Sequence, residues 1–281
     1  RFRRPLVLVS QDVFPEIAVA LGRLKSPFAI TLLRAAIKHA LKHADRVVAI
    51  GAVMRDRLVA KGAHPNRIAV IPNWADTERI TPQQHDNAWS REHGLAGQFV
   101  VMHSGNVGHA QNLETLLRAT AFLDDLDQLR IVIIGSGARH AATVELAHRL
   151  ADERVAFLPY QPYERLPEAL SAAHVHFVGL PRGLAGYIVP SRVHGILAAG
   201  RPILAAVDEE SETATLVREA HCGVVVPPDD PAGVADAIRA LASGRHDLAE
   251  LGRSARAYAE RVTSREQAVA RYRQLLADVT G

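Results

Sequence analysis

The sequence is short of several things, and each shortage closes a class of function. It has one cysteine, Cys222, in 281 residues. That excludes an internal disulfide framework and any cysteine-based zinc site, and it fits a reducing cytoplasm. Aromatic residues make up only 5%, too few for a base-stacking nucleic-acid platform. The 33 basic residues barely exceed the 30 acidic ones. That balance permits acidic ligands or a membrane surface but does not argue for nucleic-acid binding. No apolar run reaches the length of a membrane span. The start, Arg1-Phe2-Arg3-Arg4-Pro5, leads straight into a strand-like stretch and does not read as a secretory signal. Neither a G-x-x-x-x-G-K-[ST] phosphate loop nor a G-x-S-x-G nucleophile elbow is present.

What is there is ordinary globular composition, 48% hydrophobic, in a chain long enough for two domains. Short apolar strands alternate with helical stretches. Pro5–Ser10, Arg46–Ile50 and Ile68–Ile71 read as strands, with helices over Ala29–His43 and Met54–Lys61. Residues 76–98 are polar and rich in turn formers, and read as a linker entering a second domain. There the alternation is cleaner. Strands fall at Phe99–His103, Arg130–Ile134, Val155–Phe157, Val175–Val178, Ile203–Ala206 and Gly223–Val226. Helices are predicted over Leu113–Leu123, Ala141–Ala151, Arg165–Ala172, Arg192–Ala199, Glu210–Ala220 and Ala232–Ala242. A last helix, Arg265–Val279, has Ser264 as its N-cap. Continuous apolar strands joined by helical crossovers imply an α/β protein with doubly wound parallel sheets. The expected division is 1–75, 76–262 and 263–281. Three strands make half of such a domain, so the N-terminal part reads as incomplete, with upstream strands missing.

In an open parallel sheet, ligands bind beyond the C-terminal strand ends, and three loops there are informative. Ser104-Gly105-Asn106-Val107-Gly108 follows a strand and opens a helix; it is an anion-binding loop or simply a tight turn. Gly135-Ser136-Gly137-Ala138-Arg139-His140 begins like a dinucleotide fingerprint but lacks the third glycine. Gly186-Tyr187-Ile188-Val189-Pro190-Ser191-Arg192 puts Pro190 and Ser191 at a helix start, with Ser191 as N-cap and Arg192 beside the free amides. The alternative is a well-capped helix with a solvated arginine. Convergence of all three loops on one cleft favours a nucleotide diphosphate. His174 and His176 share one strand face but have no evident third metal ligand, and read as a structural or exposed pair.

These motifs, in this order, resemble the family 4 glycosyltransferases of the GT-B fold, over nearly the whole chain. Ile71-Pro72-Asn73-Trp74-Ala75-Asp76 resembles the family's hinge phrase I-P-N-G/W-V-D. Pro190-Ser191-Arg192 through Gly200-Arg201-Pro202 resembles P-S-K-x-x-E-x-x-A-x-G-x-P. Phe157-Leu158-Pro159-Tyr160-Gln161-Pro162 and Asp12-Val13-Phe14-Pro15-Glu16 add to the match. The branch most similar is that of colanic-acid, capsule and O-antigen assembly, which transfers fucose- or acetamido-sugar-type residues.

The resemblance implies two Rossmann-like domains and a UDP- or GDP-linked sugar donor. The base would lie near Pro159, Tyr160 and Gln161. The diphosphate would sit on Ser191–Val193 and the loop holding Gly105, Asn106 and Gly108. Gln111, Gly135, Gly137, Tyr187, Ile188, Val189 and Pro190 complete the donor-binding set. Asp12 and Arg192 are the catalytic candidates, Asp12 contacting a sugar hydroxyl or moving a proton; a turn carboxylate is its other reading. The implied reaction retains anomeric configuration, requires no metal and uses a lipid-linked glycan acceptor.

Several positions depart from the pattern. Tyr187 and Gly195 stand where many members carry paired Glu residues. Asn106 and Gln111 replace an Arg and a Lys, Arg192 replaces a Lys, and Gln11 stands where a His is frequent. These departures leave open a catalytically degenerate partner subunit, or a sugar-nucleotide epimerase of the same fold. Arg34, Lys38 and Lys42, beside an apolar stripe, read as peripheral contact with the inner membrane face or as an ordinary surface helix.

Overall fold

A computed structural model describes residues 4–150 and 152–280. Residues 1–3, Ala151 and Gly281 lie outside the described residues. With them fall the opening Arg1–Arg3 run and the last position of the predicted Ala141–Ala151 helix.

The first unit is a parallel sheet in sequential order, β1 (Val7–Ser10), β2 (Arg46–Ala49) and β3 (Ile68–Val70). It carries α1 (Glu16–Ala20), α2 (Pro27–His43) and α3 (Ala52–Ala60). Pro at the first position and a Ser26 hydroxyl accepting the Ala29 amide start α2, a favourable pairing at a helix N-terminus. Only Leu41 of α2 is buried, and Phe28, Leu32 and Leu33 are exposed.

The second unit begins with α4 (Ala88–Glu92) and continues as β4 (Phe99–Ser104), α5 (Leu113–Ala119), β5 (Leu129–Ile134), α6 (His140–Leu150), β6 (Val155–Leu158) and α7 (Leu166–Ser171). It goes on through β7 (Val175–Gly179), α8 (Arg192–Ala198), β8 (Ile203–Ala206), α9 (Glu212–Glu219), β9 (Gly223–Val226) and α10 (Pro231–Ala242). It ends with α11 (Leu248–Val262), and α12 (Arg265–Thr280) follows. The six strands are all parallel, in the order β6-β5-β4-β7-β8-β9. Order reverses between β4 and β7, the topological switch point where such sheets bind ligands.

Alternate strand residues serve opposite faces. Val101, Ile131, Ile133 and Phe177 pack with α5, α6 and α10, whereas Val178, Ile203 and Ala205 pack with α8, α9 and α11. Burial on both faces is what the near-continuous apolar runs require.

Two features differ from the sequence-based expectation. Residues 76–98 are not a free linker. They carry α4, whose Trp89 is fully buried against Val100, Met102, Val132 and Ile134. Asn87 caps α4 reciprocally with Ser90, so a polar, turn-rich stretch folds around one apolar anchor. The helix α11 was not expected either. Its buried residues are Gly252, Ala255 and Ala259, so it approaches α8 on small side chains, flanked by Leu248, Leu251 and Tyr258 in an amphipathic pattern that comes after the strand–helix alternation has ended. α12 returns to the first sheet, setting Tyr272 and Leu275 against Val48 and Ile71. Ala75 and Ser264 form a parallel bridge where the chain crosses between units.

Candidate functional site

A cleft of about 830 Å³ opens between the two units, at the C-terminal ends of the strands. Of the residues singled out in the sequence, Asp12, Gly105, Asn106, Gln111, Ile188, Val189, Pro190, Ser191 and Arg192 line it.

The others sit elsewhere. Val193 is fully buried in the core behind the cleft. Gly108 turns away, its amide donating to Gln111 Oε1 at 2.8 Å, and lines a separate 220 Å³ pocket with His109 and Arg139. Gly135 and Gly137 hold two loops together. The Gly105 amide donates to Ile134 O, and the Val107 amide to Ser136 O at 2.8 Å. At Gly135, φ is +130° and a Cβ would collide with the Gly105 carbonyl; only glycine allows that approach. Gly137 packs likewise on Asn106 and Val107.

Tyr160 lies on the outer surface, its hydroxyl donating to Ser136 O at 3.2 Å. The Gln161 amide is committed internally: its Oε1 accepts from Trp89 Nε1 at 2.8 Å, and its Nε2 donates to Pro159 O. The cleft wall on this side is built instead by Tyr163, Leu166, Leu170 and Ile196. Tyr187 belongs to the seam between units. Its carbonyl accepts the Val13 amide at 2.8 Å, and Arg57 lies 4.8 Å over its ring.

That seam fixes the loop that precedes Arg192. Asp12 and Ile188 form an antiparallel bridge across it. Gly186, at φ +75°, packs so tightly on Val53 and Arg57 of α3 that a Cβ would collide with both. From the other unit, Glu212 Oε1 accepts the Met54 amide at 2.6 Å, at the N-terminal turn of α3. A carboxylate there is favoured by the helix dipole, while burial pushes the Glu212 carboxyl up from its ordinary value.

The start of α8 departs from expectation in detail. Ser191 already has helical backbone angles, and its hydroxyl makes no capping bond. The Val193 and His194 amides turn back to Pro190 and Ser191 carbonyls at 3.3 Å. The exposed Ser191 therefore leaves its hydroxyl toward the cleft.

Beside it, Arg192 is half-buried with its remaining surface toward the cleft. Its one bond is from Nη2 to Gly179 O at 3.4 Å, and its buried Nε has no acceptor. No carboxylate pairs with it among the described residues, and desolvation lowers its pKa to about 10. A guanidinium so placed is short of negative charge. His103, buried beneath, is held well below its usual range by burial and by the Arg192 charge. It is a neutral imidazole at neutral pH and does not compete for an anion. In the same cleft, burial raises the Asp12 carboxyl above its ordinary value.

Arg34, Lys38 and Lys42 are exposed on α2; Arg34 pairs with Glu16 at 3.1 Å. His174 and His176 are tied to the fold. His174 Nδ1 accepts the Val100 amide, and His176 Nε2 bonds Leu170 O. Sequence reasoning did not assign Gln11, Asn73, Trp74, Tyr163, Leu166 or Arg265 to the cleft, which they line. An exposed tryptophan inside a recognisable hinge phrase was the available signal.

Comparison with known proteins agrees with this architecture. Residues 98–244, more than half of the chain, match the glycosyl transferases group 1 model, and residues 1–74 match a glycosyl transferase 4-like domain. The chain therefore belongs to the group 1, family 4 glycosyltransferases of the GT-B fold. It is 31% identical over 250 residues to the probable glycosyltransferase WbjE of Pseudomonas aeruginosa, covering 88% of this chain and 61% of the relative. It is 28% identical over 247 residues to WcaI of Escherichia coli K12, a putative colanic acid biosynthesis glycosyl transferase, covering 86% and 58%. The chain thus spans about three fifths of the length of these relatives. The crystal structure of Anabaena HepE with UDP and glucose superposes at a TM-score of 0.80, with 19% identity, over 98% of this chain and 72% of that one. Among the described residues, no helix is long and apolar enough to cross a membrane, and no cluster of three His, Cys, Asp or Glu could hold a metal.

Proposed function

We propose that the protein transfers a sugar from a nucleoside-diphosphate donor to a glycan acceptor in cell-surface polysaccharide assembly. The observation that carries this reading is Arg192: a half-buried, unpaired guanidinium at the floor of an interdomain cleft, next to the Gly105–Asn106 turn. A diphosphate supplies the missing charge. As the bond to the sugar breaks, negative charge grows on the leaving diphosphate, and a preoriented guanidinium stabilises it more than it stabilises the donor at rest. The Ser191 hydroxyl, free of any capping bond, assists. The apolar wall of Tyr163, Leu166, Leu170 and Ile196 takes the nucleoside end, and UDP held by HepE supports a uridine nucleotide; a guanosine nucleotide is the other donor the family resemblance implies. Asp12, which lines the same cleft, receives the proton of the attacking hydroxyl. Retained configuration needs attack on the face the diphosphate leaves, and the Asp12–Ile188 bridge, on the loop that leads to Arg192, supports a proton acceptor on that same side. No metal takes part in this reading, since Arg192 supplies the cationic charge.

The acceptor is a lipid-linked glycan, supported by the colanic-acid role named for WcaI. A cytoplasmic protein touching the inner membrane face through α2 suits that acceptor: α2 has no acidic residue, presents Arg34, Lys38 and Lys42, and exposes Phe28, Leu32 and Leu33.

Calorimetry with UDP and GDP, on wild type and Arg192→Ala, tests the reading. Binding by the wild type that the variant loses supports it. Equal binding by both overturns it. Nucleotide binding with no turnover of any nucleotide sugar identifies the non-catalytic partner subunit instead.

A further inference from the structure

The part of the cleft built by the first unit holds a group of residues with no part in the chemistry above. Gln11 and Asn73, 62 residues apart, are brought together where β1 ends and the chain leaves the first sheet. Asn73 Nδ2 donates to Gln11 Oε1 at 2.9 Å. That single bond uses one donor and one acceptor. It leaves the Gln11 NH2 and the Asn73 carbonyl without side-chain partners among the described residues, and both residues line the cleft. Paired amides of this kind offer a donor and an acceptor side by side, the pattern that neighbouring sugar hydroxyls complement.

Next to them stands Trp74. The sequence has two tryptophans. Trp89 is fully buried in the core, whereas Trp74 is 42% exposed and lines the cleft. Its ring is buttressed edge-on by Tyr272 of α12, with centroids 6.1 Å apart. The Ala75–Ser264 bridge immediately after it fixes the backbone. The exposed part of the indole offers apolar surface to a ligand. A large exposed ring beside two amides with free hydrogen-bonding capacity calls for a ligand with both an apolar face and hydroxyl groups. A pyranose has these: axial C–H groups on one face and hydroxyls around the rim. Asp12 follows Gln11 directly and lines the same wall, so a sugar seated on Trp74 lies beside the carboxylate assigned to proton removal.

We propose that Gln11, Asn73 and Trp74 form a hexopyranose subsite that holds the acceptor's terminal sugar. The assignment to the acceptor, rather than to the donor's own sugar, rests on the transferase reading and on position: Gln11, Asn73 and Trp74 come from the first unit, whereas Arg192 and the Gly105–Asn106 turn come from the second. Gln11 and Asn73 orient the ring through its hydroxyls, and Trp74 selects the flat face presented to it. Neither group touches the leaving diphosphate, so they set acceptor choice and acceptor affinity.

Trp74 reports on its own occupancy, because Trp89 has no solvent-accessible surface. The test follows indole emission and acrylamide quenching on addition of the methyl glycosides of glucose, galactose, fucose and N-acetylglucosamine, with and without saturating UDP or GDP. At least one glycoside is expected to shift emission and slow quenching, with nucleotide bound at the same time. The response should vanish in Trp74→Phe and weaken roughly tenfold in Gln11→Ala, each keeping wild-type nucleotide affinity by calorimetry. If no glycoside alters Trp74 while nucleotide binds normally, the subsite proposal fails and the donor reading stands. If glycosides protect Trp74 but neither nucleotide binds, the subsite stands and the donor reading fails. If UDP-glucose protects Trp74 and displaces the glycosides, the residues hold the donor's sugar and the acceptor assignment is overturned.

Discussion

The two ends of α8 each carry an arginine, and they are opposites. At the C-terminal end, Arg256 of α11 is fully engaged. Its Nη1 donates to Ile80 O and Ala198 O at 2.7 Å, its Nη2 to Thr77 O at 2.8 Å, and its Nε to Glu260 at 2.6 Å. A cation beside last-turn carbonyls is where the helix dipole favours one. At the N-terminal end, Arg192 has one long bond and a buried Nε with nothing to donate to. It stands where the helix dipole is already positive. One guanidinium completes the fold; the other leaves it electrostatically incomplete until an anion arrives. Local destabilisation retained at a cleft marks function rather than packing.

Substitutions can break that contrast. The largest effect expected is on nucleotide affinity: Arg192→Ala should weaken UDP or GDP binding about a thousandfold, or ~4 kcal/mol. Its chemical-denaturation midpoint should stay level or rise, since an uncompensated charge is removed. Arg256→Ala should do the reverse. Three carbonyls lose their donor, stability should fall by about 3 kcal/mol in urea titration, and nucleotide affinity of the folded fraction should be unchanged.

A third expectation concerns acid. Burial lowers the His176 and His194 pKa values from 6.5 to about 4. Between those values the unfolded chain binds protons that the folded one does not, so stability is full above about 6.5 and lost as pH falls toward 4. Thermal melts across that window should show the loss, on the order of several kcal/mol for the two together, and His194→Asn should reduce it. Arg192→Lys sharpens the contrast most finely. It keeps charge but loses the planar fork, and affinity should drop about tenfold, ~1.4 kcal/mol.

The strands were the most legible part of the chain, because buried parallel strands demand unbroken Val, Ile and Leu runs. All nine described strands fall where those runs stand, and the resemblance to the family agrees with the matches found. α11 was missed although its sequence is amphipathic: Leu248, Leu251, Ala255, Tyr258 and Ala259 fall at helical spacing, but the helix follows α10 with no strand between and so lies outside the strand–helix alternation. Trp89 was hidden as one anchor in a polar stretch. In the site, Ser191 and Arg192 were readable because a strand, a Pro-Ser pair and a helix adjoin in sequence. Gln11 and Asn73 were not, since only folding brings them into contact. Gln161 was placed near the ligand by motif; its amide is held by Trp89, a partner no local pattern reveals.

Glu212 gives the molecule a preferred resting shape. It reaches from one half to the amide of Met54 in the other, and swinging the halves apart at that point would break this bond while the carboxylate loses its donor. A charged hydrogen bond of this sort is worth about 1.5–3 kcal/mol, a bias of roughly ten- to a hundredfold toward the shut arrangement before any substrate enters. Parting the halves there would also break the Val13–Tyr187 bond and the Asp12–Ile188 bridge, so the carboxylate is one of several ties that act together.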